Sequence, residues 1–181
     1  MDVINILTNE LQFNPRNRAA LSLLGYCYYH VQDFENAADM YDQLTRFFPD
    51  TENYQIYHAQ SLYKGGMYEQ ALKVCQRISS PEHEDKIVQL QIAIQYELEE
   101  VSHARTLAEN LETDSPEAVI TEGCLLFKEE NFDQARTKFQ EAMNASGYSC
   151  ALAYNIALCY YKMKQLAPSL KHIADIIEKG V

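Results

Sequence analysis

Small residues return along this chain at a distance close to the length of one helix-turn-helix unit. Gly25 is followed twelve residues later by Ala37, and the phrase comes back as Ala59 with Ala71, Gly123 with Ala135, and Ala157 with Ser169. Ile92 and Ala104 hold the same places in between, so the successive spacings are 34, 33, 31 and 34 residues. Self-similarity at this period marks solenoids, in which each unit buries its apolar face by stacking on its neighbours. Apolar residues recur at helical spacing nearly throughout, and only 6 glycines and 5 prolines interrupt them. That pattern predicts an all-α chain of eleven helices without strands. Gly25 lies inside such a run, LSLLGYCYYH, where glycine costs about 0.5 to 1 kcal/mol relative to alanine. The cost is offset if the missing side chain lets a partner helix approach closely.

The phrase resembles the tetratricopeptide repeat, a pair of helices A and B with small residues at two fixed places, an aromatic on helix B and a proline at its end. Residues 18–51 match it best through Leu24, Gly25, Tyr28, Ala37, Tyr41 and Pro49, and Gly25 is expected to face Ala37. Further repeats begin at about 52, 85, 116 and 150. Residues 1–17 read as a lone helix B, with Val3 and Leu7 in the small and aromatic places. The resemblance implies a tetratricopeptide-repeat solenoid, a right-handed superhelix of helix-turn-helix pairs forming one domain over residues 1–181. Ser80-Pro81-Glu82 and Ser115-Pro116-Glu117 each place a cap, a proline at the first helical position and an acid in the first turn, at repeat junctions.

The formal net charge of −11 argues against nucleic acid and anionic membrane surfaces, whose binding needs clustered Lys and Arg. No stretch approaches the roughly 20 apolar residues of a membrane span. The N-terminal MDVINILTNE lacks a basic start leading into an apolar core, which points to the cytosol. The five cysteines form no C-x-x-C pair and have no histidines at zinc spacing, so no metal or cofactor is expected. Ser61-Leu62-Tyr63-Lys64 matches S-x-x-K, but it lies within one helix with no companion motif; the expectation is a protein without enzymatic activity.

Solenoids bind along the face lined by their A helices. Near the end of each helix A stands an aromatic: Tyr29, Tyr63, Tyr96, Phe127 and Tyr161. Other A-helix positions facing the same way add Tyr26, Ile56, Ile120 and Tyr154. Together these nine residues predict an apolar, weakly charged groove. The ladder has a second reading, since long aromatic side chains also bridge adjacent helices. A large apolar patch generally means a partner, and an extended, proline-containing segment suits this one, because polyproline II loses little entropy on binding and its rings lie flat on aromatic faces. Lys and Asn do not stand where chaperone-tail adaptors of this repeat class grip a terminal carboxylate; Ser22 and Tyr26 occupy those places.

Four longer stretches, SLLGYCYYHVQDFENAADMYDQL, YQIYHAQSLYKGGMYEQA, GCLLFKEENFDQARTKFQEAMNASGY and YNIALCYYKMKQLAPSLKHIADIIEKG, resemble the N-terminal part of the tetratricopeptide repeat protein 30 family, also called Fleer, over essentially the whole chain. The resemblance implies a subunit of intraflagellar transport complex B in the cilium or flagellum and the cytoplasm. It also implies partners among the other subunits of that complex, chiefly a proline-rich segment of intraflagellar transport protein 52. The alternative is a cytosolic peptide-binding adaptor unrelated to cilia. Members of the family are several times longer, so a fragment is expected, with Val3, Ile6 and Leu7 at one end and Ile173, Ile176 and Ile177 at the other available for end-to-end self-association.

Overall fold

The computed structural model describes residues 3–79, 81–109, 111 and 115–179. Among them are eleven α-helices, one short 3-10 turn and no strand. The helices are α1 (Val3–Phe13), α2 (Arg18–His30), α3 (Phe34–Phe47), α4 (Glu52–Lys64), α5 (Tyr68–Cys75), α6 (Glu84–Glu97), α7 (Val101–Ala108), α8 (Pro116–Lys128), α9 (Phe132–Ser146), α10 (Cys150–Lys162) and α11 (Leu166–Lys179). They fall into two compact units, Met1–Leu98 and Glu99–Val181. Within each, helices consecutive in the chain pack on one another.

The first unit is held by two apolar clusters. Leu21, Tyr41, Leu44 and Tyr54 join α2, α3 and α4, and Ala38, Ala59, Leu62, Ala71, Cys75, Ile87 and Ile94 join α3 to α6. The second unit centres on Leu126, Ala135, Phe139, Ala142, Leu152, Ile156 and Cys159. Burial pushes the Cys75 and Cys159 thiols up to about 11, so both are protonated, apolar core residues at neutral pH.

Gly25 permits a close approach, and the atoms nearest to it belong to Tyr41 and Met40. A Cβ built on Gly25 would stand 3.1 Å from the Tyr41 ring and 3.2 Å from the Met40 Cβ. Gly123 likewise sits under the Phe139 ring, at 2.8 Å. The small residue on helix A is therefore matched to a large ring one helical turn beyond the alanine of helix B, because the ring spans the gap between the two axes.

Each turn from helix A to helix B is closed in one way. Gln32, Gly66, Glu99, Glu130 and Lys164 all have φ between 61° and 75°. In four of these turns the next amide donates back to a carbonyl in the last turn of helix A, as in Asp33 N to Tyr28 O and Gln165 N to Tyr160 O, both 2.9 Å. The left-handed residue is what folds the chain back.

Asn17, Asp33 and Ser115 side chains cap α2, α3 and α8 by accepting the amides of Ala20, Asn36 and Ala118, and Pro116 stands in the first turn of α8 as expected. The parallel expectation at Ser80-Pro81-Glu82 is not met in the same form. Ser80 lies outside the described residues, Pro81–His83 form the 3-10 turn, and α6 starts only at Glu84. Gly180 and Val181 also lie outside the described residues.

Candidate functional site

In the first unit, α2 and α4 both pack on α3, and residues of all three line a cup. It encloses about 410 Å³ and is lined by Ser22, Tyr26, Tyr29, His30, Tyr41, Tyr57 and Gln60. Ser22, Tyr26 and Tyr29 lie on one face of α2 because they are three, four or seven residues apart, and His30 follows Tyr26 by four. Tyr57 and Gln60 face them from α4, and Tyr41 reaches the floor from α3 through the space that Gly25 leaves open. The Tyr41 and Tyr57 rings lie 5.4 Å apart at 53°, and Tyr26 leans on the His30 ring at 4.1 Å. Burial, then the neighbouring phenols of Tyr57, Tyr29 and Tyr54, push Tyr41 up to about 12, so it stays neutral.

The residues chosen from sequence do not all behave alike. Tyr26 is 56% exposed and forms the rim of the cup. Tyr29 is half-buried and meets Phe34 edge-on at 5.4 Å. Tyr63 is half-buried against Tyr68, 5.9 Å away, and packs on the apolar cluster of its unit. Tyr96 is half-buried on α6. Ile56 departs from expectation: it is 4% exposed, with its side chain in the core, and offers no surface to a ligand.

In the second unit, Ile120 and Phe127 share one face of α8, half-buried in the cluster around Phe139, and Phe127 meets Phe132 edge-on at 5.2 Å. Tyr154 and Tyr161 share one face of α10 and are open to solvent, 54% and 59% exposed. The ladder thus divides in two. Tyr29, Tyr63 and Phe127 are half-buried and lean on the first ring of the following helix B, while Tyr26, Tyr154 and Tyr161 are more than half exposed. Tyr41 and Tyr57 were missed, the first because its place in the repeat marks it as core, the second because no periodic pattern singles it out.

Ion pairs join α7, α8 and the turns beside them in the second unit. Arg105 of α7 donates two hydrogen bonds of 2.9 Å to Glu129 and one of 3.1 Å to Glu122 of α8, and Lys128 donates to Glu99 at 2.6 Å. Among the described residues no group of His, Cys, Asp and Glu could hold a metal ion, and no helix is long and apolar enough to cross a membrane.

The model of the family described as intraflagellar transport protein 56 matches residues 21–179. The chain belongs to the intraflagellar transport protein 56/70 family. It is 52% identical over 180 residues to intraflagellar transport protein 70A of Xenopus tropicalis, across 99% of this chain and 28% of that protein. To protein 70A1 of Mus musculus it is 43% identical over 190 residues, across 99% and 29%. The chain therefore spans a little under a third of the length of these relatives. Solved structures similar to this family member are tetratricopeptide repeat proteins. One from Parabacteroides merdae matches at a TM-score of 0.79 and 17% identity, over 98% of this chain and 72% of the other. A thermophilic one from Thermus thermophilus matches at 0.76 and 14%, over 89% and 90%. The fold is the tetratricopeptide-repeat solenoid.

Proposed function

We propose that this chain is part of the wall of an intraflagellar transport scaffold in the cilium or flagellum, holding an extended, proline-containing segment of another transport subunit against its A-helix aromatics. The observation that carries the reading is that each unit keeps A-helix rings open to solvent, Tyr26 on α2 in the first and Tyr154 and Tyr161 on α10 in the second, on a chain of this family with a net charge of −11. Exposed tyrosine rings held by helices cost little entropy to use, stack flat proline rings, and offer hydroxyls to the unpaired carbonyls of an extended peptide. The resemblance of the sequence to complex B subunits makes the proline-rich segment of intraflagellar transport protein 52 the partner of choice.

The test is capture of that segment by the chain carrying Tyr26→Ala, Tyr154→Ala and Tyr161→Ala. These three rings are exposed, so the variant keeps its core and its helical circular dichroism, whereas Tyr63→Ser or Phe127→Ser removes packing as well. Binding should fall by more than about tenfold, about 1.4 kcal/mol. Undiminished capture by the folded triple variant rules the reading out.

A further inference from the structure

The cup between α2 and α4 belongs to the groove proposed above, and the inference rests on that reading, but its chemistry is more particular than a bed for proline. We propose that Tyr26, Tyr29, Tyr41 and Tyr57 form a cage for a guanidinium group, the side chain of an arginine carried by the bound segment.

Three observations point there. The first concerns what the rest of the chain does with its rings. Arg18 lies over Tyr54 at 5.3 Å, Arg136 over Tyr160 at 5.5 Å, and Lys179 over Tyr148 at 4.1 Å. No Lys, Arg, Asp or Glu lines the cup, and among the described residues no cation of this chain stands over its four rings. These four tyrosines are left without a cation, Tyr41 closing the floor at 6% exposed and Tyr26 and Tyr57 standing open above it, and ring faces carry the negative lobe of the aromatic quadrupole.

The second is the polar lining. Among the described residues the Ser22 hydroxyl, the Gln60 amide and the Tyr26, Tyr29 and Tyr57 hydroxyls make no hydrogen bond within the chain. All can accept. A guanidinium is planar and carries five N–H donors and no acceptor, so it stacks on a ring while its edge reaches such oxygens; an ammonium is more strongly hydrated and gives up more on entering.

The third is size and field. A space of about 410 Å³ is larger than a proline ring fills and has room for a long side chain with its stem along the rings. The overall charge of −11 draws positive segments towards the chain.

The experiment titrates the 181-residue chain, labelled at its tyrosine rings, with three small probes followed by NMR: N-acetyl-arginine methylamide, its neutral citrulline counterpart and N-acetyl-proline methylamide. The arginine probe should give saturable shifts at Tyr26, Tyr29 and Tyr57 and bind at least about tenfold more tightly than either other probe. Tyr57→Leu should abolish the shifts, and Tyr57→Phe, which keeps the ring face, should retain most of them. Equal affinity for arginine and citrulline, a preference for the proline probe, or no saturable shift at all overturns the cage. The two readings fail separately: capture of the partner segment unaffected by Tyr154→Ala and Tyr161→Ala, with the arginine probe still saturating, removes the groove and leaves the cage, while normal capture with indifference to the guanidinium charge removes only the cage.

Discussion

At Gly123 two opposed costs meet. Alanine is about 1 kcal/mol better than glycine within a helix, yet its Cβ would fall 2.8 Å from a Phe139 ring that is almost wholly buried. Overpacking of that kind costs about 1 to 3 kcal/mol, and the buried ring has no room to turn away. Gly123→Ala should therefore lose roughly 1 kcal/mol net in urea denaturation. Combined with Phe139→Leu it should lose less than the two single changes together, because the overlap is gone. His58 shows a different residue-scale effect. Burial lowers its pKa from 6.5 in spite of Asp42, so the unfolded chain takes up its proton first as the pH drops. The stability that His58 contributes is full above pH 6.5 and is lost as the pH falls towards the folded value. His58→Gln should flatten the dependence of unfolding free energy on pH between about 7 and about 5.5, and an unchanged slope contradicts that.

The turns are the clearest lesson at the scale of elements. Gly66 takes its positive φ freely, whereas Gln32, Glu99, Glu130 and Lys164 take the same conformation with a side chain attached. An L-residue there is strained by about 1 kcal/mol, which glycine relieves at some cost in unfolded-state entropy. Lys164→Gly and Glu130→Gly should each add about 0.5 kcal/mol to stability, visible as a higher melting temperature. Glu99→Gly should gain less or nothing, since it gives up the 2.6 Å bond from Lys128. Helix existence and type could be read from the apolar period alone. The start of α6 could not, because Pro81 is equally compatible with the first turn of an α-helix and with the 3-10 turn it adopts.

For the molecule as a whole, uncovered apolar surface is the dominant feature besides the rings. On α11 Leu170 and Ile177 are 67% and 77% exposed, and α1 exposes Val3, Ile6 and Phe13. Such surface predicts concentration-dependent self-association. The mass from light scattering should rise with concentration, and Leu170→Glu with Ile177→Lys should hold the chain monomeric without lowering its melting temperature. A constant mass for the unaltered chain excludes it. The sequence on its own determined the helical class, the repeat spacing, the kinship and the columns from which functional side chains come, because all of these are set by one-dimensional periodicity. Only the tertiary structure decided which members of those columns stay open to solvent. Ile56 turned into the core, Phe127 and Tyr63 leaned on the next helix, and Tyr41 came from helix B to floor a cup that no single period describes. Side-chain exposure depends on the gap between neighbouring helices, and that gap is set by how residues far apart in the chain fill it.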